Sequence, residues 1–417
     1  MNTLNPIVYL TCEMKSRDLD SRMLIAAHLV KMGYHVMVGQ YWALTTNNRI
    51  GDPPRGCYVV KTVNTIQVGS MANAKARGHV VVAADEEAMP AAEYLAAETA
   101  DEKTFDFCDA FLAISDLHAR ALHLRFPNAG DRISVVGTAR TDLFRHANPP
   151  RPHERPYILV NTSTGVINSI WGDEQAAVET YIRAIGYSFD NPEHMAVVNA
   201  RVAYEHAALG ETKKLIAWLR DNTGLDIILR PHPSEKVEMW RDLYRAAARP
   251  LIVEGTDPLP WIKHAALLFH NDSTTGIEAA MLGTPVINVS PVAEWAKRLI
   301  VREVNCTVAT ADEAVALVPD FLRNHARAGS LDVFDIFPRD AAERTARAIA
   351  AFLPPPGPLA PFNWVPLERT DVQRNKFTVT PQECMDCIRR VFPLAGAQVK
   401  SVIAMDDSLF LLTPKGV

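Results

Sequence analysis

Two polar clusters stand where apolar runs end. Arg230-Pro231-His232-Pro233 closes the run 226–229, and His270-Asn271-Asp272-Ser273-Thr274-Thr275 closes Leu267-Leu268-Phe269. Prolines on both sides keep His232 out of a helix and set it in a turn at a strand tip. The second cluster opens a helix, whose first N–H groups lack intrahelical partners and whose positive dipole end favours an anion. An imidazole facing a hydroxyl-rich helix start makes a cradle for a nucleotide phosphate. A third cluster, Asp85-Glu86-Glu87, follows the apolar run 80–84. Adjacent carboxylates raise one another's pKa, which suits Glu86 to general-base work with Asp85 and Glu87 as neighbours. The same three acids also fit a solvated helix start.

These clusters need strands to carry them. Short apolar runs alternate with amphipathic segments over residues 7–145 and again over 157–310, the doubly wound α/β pattern twice over. The first half has strands at 7–11, 34–39, 57–63, 79–84, 110–115 and 133–137, with a helix from about Asp18 to Met32 stopped by Gly33. The proline-rich stretch 148–156 holds no regular structure and places the hinge. The second half has strands at 157–160 and others ending at Arg230, Glu254, Phe269 and Val289, with long helices at 173–186 and 194–221. Two Rossmann-like domains facing a cleft, 1–147 and 157–350, make a GT-B architecture. Residues 351–417 read as a proline-rich link and a small extension, with a helix near 381–391 and a strand pair at 399–405 and 409–412.

Open α/β sheets bind ligands at the carboxyl ends of their strands. In the first domain those ends carry Glu13, Gln40, the acidic run, Asp116 and Gly137-x-x-Arg140-x-Asp142. In the second they carry Asn161 to Thr164, His232, Glu254 and His270 to Thr275. Carboxylates on one side and phosphate-compatible groups on the other fit acceptor activation and donor binding. Asp116 follows Ser115 at a helix start and fits a cap. Glu278, three residues after Thr275, fits a capping box or a ribose contact equally. His270 also fits a satisfied core histidine.

Composition excludes several other classes. The 417 residues are 48% hydrophobic and 22% charged, ample for two cores. Forty-three basic against 48 acidic residues, with no Lys/Arg-rich run, argue against nucleic acid. No apolar stretch reaches ~18 residues and the amino terminus lacks a signal pattern, so a cytoplasmic protein is expected, with peripheral contact to the inner membrane face at most. Six scattered cysteines read as reduced core residues, Cys384-x-x-Cys387 included. No His/Asp cluster has ligand spacing, so neither metal nor other cofactor is expected.

The His-Pro, Ser-Thr-Thr and acidic motifs resemble, in order and domain placement, those of bacterial CMP-sugar transferases of GT-B fold, sialyltransferases among them. Most of the first 300 residues resemble surface-carbohydrate biosynthesis proteins that include the β-Kdo transferases of capsule and O-antigen (lipopolysaccharide) assembly. The matching stretches are Glu13-x-x-x-Arg17-x-x-Asp20, Ser115-Asp116-x-His118, Gly137-x-x-Arg140-x-Asp142, Val160-Asn161-Thr162 and His270 to Val286.

The resemblance implies transfer of a CMP-activated 2-keto sugar acid, Kdo above all, to a hydroxyl of a growing, lipid-linked glycan. Arg230, His232, Ser273, Thr274, Thr275, Glu278, Asn161 and Glu254 would hold the nucleotide. Glu86 would take the acceptor proton, and Arg17 and Arg140 would suit a sugar carboxylate because a guanidinium fork matches it. Retaining enzymes of this kind use a carboxylate nucleophile. The loop 161–168 contains none, and Asp173 and Glu174 lie just beyond it. Rival expectations are a CDP-polyol phosphotransferase, a UDP-sugar 2-epimerase and a non-catalytic GT-B scaffold.

Overall fold

A computed structural model of the chain describes residues 4–415 apart from 86–99, 147, 185–186, 245–250, 254–256, 293–299 and 325–331. It divides into two compact units, 1–146 with 334–417, and 147–333. In the first unit the parallel strands are β1 (Ile7–Cys12), β2 (His35–Gln40), β3 (Cys57–Val60), β4 (Val80–Ala84), β5 (Ala110–Ala113) and β6 (Ile133–Val135). The inner strands β3, β4 and β5 are almost wholly buried, which is why they read as unbroken apolar runs, whereas edge strand β6 leaves Ser134 exposed. The helix Lys15–Lys31 follows β1 and ends at Gly33, whose φ of 95° is the left-handed stop that glycine adopts without strain.

The second unit holds β7 (Tyr157–Asn161), β8 (Asp226–Arg230), β9 (Leu251–Ile252), β10 (Leu267–His270), β11 (Val286–Val289) and β12 (Cys306–Val308), in the spatial order β12-β11-β10-β7-β8-β9. One face packs Ile158, Val160, Leu229 and Phe269 against Leu215, Leu219 and Phe321. Because side chains alternate along a strand, Asn161, Arg230 and His270 leave the sheet on the other face.

The carboxyl-terminal segment departs from expectation. The helix Ala341–Ala350, expected to close the second domain at 350, belongs to the first unit. Its Ala342, Ala346 and Ile349 join the core around the helix Lys15–Lys31, and Asp142 accepts the Ala342 N–H at 2.8 Å. Gly137 is needed there: its φ is 92°, and a Cβ would lie 2.7 Å from Ala341 Cβ. Nor is the extension separate. Its helix Pro381–Val391 buries Cys384, Cys387, Ile388 and Val391 in the same core. Burial pushes the Cys384 thiol up to about 12 and raises Cys387 as well, so both are inert. The strands β13 (Val399–Asp406) and β14 (Leu409–Pro414) form the expected hairpin, and β14 adds antiparallel to β2, completing an eight-stranded sheet. Among the described residues no helix is long and apolar enough to cross a membrane.

Candidate functional site

Parallel register sets Arg230, Asn161, His270 and Asn288 side by side across the carboxyl edge of the second sheet. His270 is fully buried. Its Nδ1 accepts the Ser273 N–H at 3.1 Å, which assigns the proton to Nε2, and Nε2 donates to Asn305 Oδ1 at 2.9 Å. His270 is therefore the satisfied core histidine of the two alternatives, and its ring orients the start of the helix Thr275–Leu282. Gly276 lets that helix press on the ring, since a Cβ would lie 2.3 Å from Nε2.

At the helix start, Ser273 Oγ accepts from Thr275 N (3.3 Å) and from Thr275 Oγ1 (3.0 Å), while Thr274 makes no capping bond through its side chain. Glu278 is buried, forms no capping box, and its charge acts on Arg230, whose pKa burial lowers while Glu278 and then Asp257 oppose the shift. The Asn161 amide is buried, and neither its oxygen nor its nitrogen has a hydrogen-bond partner among the described residues. Glu254 lies outside the described residues.

His232 is exposed in the turn that follows β8. Its Nδ1 lies 2.6 Å from Ser234 Oγ and accepts the Ser234 N–H at 3.2 Å, which leaves the proton on Nε2. Nε2–H makes no hydrogen bond to a described residue. The protein around the ring removes enough water to lower its pKa, Glu235 pulls the other way, and Arg201 lowers it further. His232 at neutral pH is thus a neutral donor with one N–H presented outward.

Sequence reasoning missed Glu235 and Glu205, two buried acids that shape the loop after β7. Glu235 accepts from Thr162 Oγ1 (2.9 and 2.8 Å), Thr164 N (2.9 Å), Thr164 Oγ1 (2.8 Å), Trp240 Nε1 (2.9 Å) and His232 N (3.2 Å). Glu205 accepts from Val166 N (2.8 Å) and Ile167 N (3.1 Å) and pairs with Arg201 at 2.7 Å. The available signal was faint, an acid three residues after His232 and two before a hydrophobic helix. Asp173 Oδ1 accepts Ala176 N at 2.9 Å as a helix cap, and Glu174 pairs with His206, so both carboxylates beyond the loop are otherwise engaged.

In the first unit Glu13 is surrounded by cations: Lys61, Lys376 at 3.2 Å and Arg17 at 3.4 Å. Partial burial pushes its carboxyl up, but Lys61 and Lys376 outweigh that and hold it below the ordinary range. Arg17 lies 2.6 Å from Asp18 Oδ1, so the guanidinium expected to meet a sugar carboxylate already meets two of its own chain's. Asp85 is buried and accepts from Thr62 Oγ1 at 2.9 Å. Burial lowers the pKa of His118, and the Asp85 charge opposes that. A cavity of about 10 Å³ lies beside Asp85, Arg22 and Thr138, room for about one water.

Glu86 and Glu87 lie outside the described residues. Asp116 is exposed on a first turn whose cap is Ser115, which accepts His118 N at 3.1 Å. Arg140 sits 6.0 Å from the Phe144 ring centroid, while Gly137 and Asp142 of the same motif pack against the helix Ala341–Ala350. Among the described residues no group of three or more His, Cys, Asp or Glu is placed to hold a metal ion.

Buried neutral histidines make the fold acid-sensitive. Burial lowers His270 to about 4 and His79 to about 4. An unfolded histidine binds its proton near ~6.5, so between ~6.5 and about 4 the unfolded chain holds more protons and stability falls as pH falls. By pH ~5 each should cost on the order of 2 kcal/mol. Urea unfolding at a series of pH values checks this; a free energy flat from pH ~7 to ~5 would show that these rings are not held neutral.

No protein-family model matches the chain, and no curated protein matches it in sequence. Solved structures of similar fold include the UDP-GlcNAc 2-epimerase of Methanocaldococcus jannaschii (14% identity, 83% of this chain and 99% of that one, TM-score 0.55). They also include MnaA of S. aureus solved with UDP (10% identity, 84% and 97% covered, TM-score 0.51). A third is a variant of the wall teichoic acid polymerase TagF with CDPG (11% identity, 84% and 89% covered, TM-score 0.50). Likeness at this identity defines the fold, and the class is α/β of GT-B type, built from two Rossmann-like domains.

Proposed function

We propose that this chain is a nucleotide-sugar-dependent enzyme of surface-glycan assembly, a transferase moving a CMP-activated 2-keto sugar acid onto a hydroxyl of a lipid-linked acceptor. The observation that carries the reading is His232, a neutral imidazole with Nε2–H presented outward at the carboxyl edge of a parallel sheet. The same sheet edge carries the start of the helix Thr275–Leu282, where oxygens of Ser273 and Thr274 accept the N–H groups of Thr275 to Glu278, and the helix's positive end and hydroxyl groups support the imidazole donor. Such donors stabilise the charge that gathers on a departing nucleotide phosphate. Glu86 is the proposed base, and no nucleophile is assigned.

A second reading, CDP-polyol phosphotransfer or UDP-sugar 2-epimerisation, draws support from the similar structures, one of which holds UDP-GlcNAc and UDP and another CDPG. Thermal shifts with CMP, CDP, UDP and GDP separate the readings. A ligand at 100 times its dissociation constant adds about 2.7 kcal/mol of stability. CMP is expected to stabilise most. Conversion of UDP-GlcNAc without an acceptor would favour the epimerase, and label from the β-phosphate of CDP-glycerol appearing in product would favour the phosphotransferase. Stabilisation by none of the four overturns the nucleotide reading.

A further inference from the structure

We propose that Glu235 is the positioning residue of the second-domain site, its buried carboxylate fixing His232 and the loop 162–168 in one arrangement so that phosphate binding depends on it. This rests on the reading of His232 as a phosphate donor. Glu235 is 2% exposed and lies in the turn that follows β8, while the loop it holds follows the neighbouring strand β7. Two separate chain segments therefore converge on one carboxylate. From the loop come the Thr162 hydroxyl and the Thr164 N–H and hydroxyl; from the turn comes the His232 N–H; from below comes the Trp240 indole. Three of these five donors are N–H groups, which cannot reverse roles. An acceptor-only carboxylate meets all five, whereas a carboxamide of the same shape brings two N–H groups of its own into a ring of donors.

The arrangement is closed from the other side as well. Gly165 comes so near the His232 turn that a Cβ would lie 2.1 Å from Ser234 Oγ, and Ser234 is the partner that holds the His232 ring through Nδ1. Glu205 pins the next two N–H groups of the loop, those of Val166 and Ile167. Without the Glu235 carboxylate the turn keeps its backbone ties to the loop, Lys236 N to Asn168 O at 2.9 Å and Ile170 N to Ser234 O at 3.0 Å, but the bonds that join Thr162 and Thr164 to the His232 N–H are lost, and with them the support that sets the height and angle of the His232 turn. Trp240 offers the needed contrast, because it touches Glu235 but neither the loop nor His232 through any hydrogen bond.

The test compares Glu235→Gln with Trp240→Phe in the full chain, titrating CMP by calorimetry and the His232 imidazole by NMR. Both variants are expected to melt lower than wild type. Glu235→Gln is expected to weaken CMP about 10- to 100-fold, the scale of a misplaced contact, while Trp240→Phe stays within about twofold. The His232 pKa should drop further in Glu235→Gln, since the Glu235 charge opposes the lowering, and stay put in Trp240→Phe. Equal CMP loss in the two variants would mean that both act through stability and overturns the proposal. So does wild-type CMP affinity in Glu235→Gln. If wild type itself binds no nucleotide, the proposed function falls, and an unchanged His232 titration in Glu235→Gln then overturns this inference separately.

Discussion

Replacing His232 by alanine is expected to weaken CMP binding about 10- to 100-fold, because a hydrogen bond to a charged partner contributes roughly 1.5–3 kcal/mol. Turnover is expected to fall further, by roughly 10²–10³, since the donor meets more negative charge as the phosphate departs than it does in the ground state. The melting temperature should barely move. The ring is exposed, and its only described partner is Ser234 two residues away. Ser234→Ala is the informative companion: it removes the Oγ partner of Nδ1, keeps the backbone N–H that Nδ1 accepts, leaves the Nε2 donor in place, and should cost much less. Unchanged CMP affinity in His232→Ala would remove this residue from the phosphate site.

The strands that carry the site were legible because parallel strands buried on both faces read as unbroken apolar runs with turn residues at their ends. Asp226–Arg230 forms the strand as read, and the hairpin of the extension was visible from its two apolar runs. Where the extension docks was not legible. β14 pairs with β2 some 370 positions away in sequence, and nothing local specifies such a partner. One trace existed in Gly39, where a Cβ would lie 2.2 Å from the backbone oxygen of Ser408; a glycine inside a strand marks close approach of another chain segment.

The candidate site was half legible for a related reason. Flanking prolines single out His232, because they fix a backbone that packing alone does not require. Glu235 carries no such mark: an acid in a polar turn reads as solvated until the fold brings Thr162 and Thr164 onto it. Gly137-x-x-Arg140-x-Asp142 was read from its polar residues at a strand end, and spacing could not show that Gly137 and Asp142 also receive a helix from residues 341–350. Lys376 shows the same limit. It reaches Glu13 from the far end of the chain, and spacing cannot reveal it.

Two roles are proposed for the acidic run after β4, and mutation should separate them. Asp85 accepts from the Thr62 hydroxyl, is nearly buried, and supplies the charge that opposes the lowered pKa of His118. Asp85→Asn should therefore act on stability and on the His118 titration, shifting that pKa further down, with a smaller effect on rate. Glu86→Gln should cut turnover by roughly 10²–10⁴ and leave CMP affinity near wild type, because a general base acts on the acceptor and not on the donor nucleotide. Rate at saturating donor, CMP affinity and melting temperature measured on both variants decide the matter. Loss of rate in Asp85→Asn at unchanged stability would move the base to Asp85, with its cavity and Thr62 as surroundings. Rates within a few-fold of wild type for both would leave no base in the run. Asp173 is a helix cap, so the search would then turn to Glu13, which Lys61 and Lys376 keep ionised and weakly basic, suited to holding an acceptor hydroxyl more than to taking its proton.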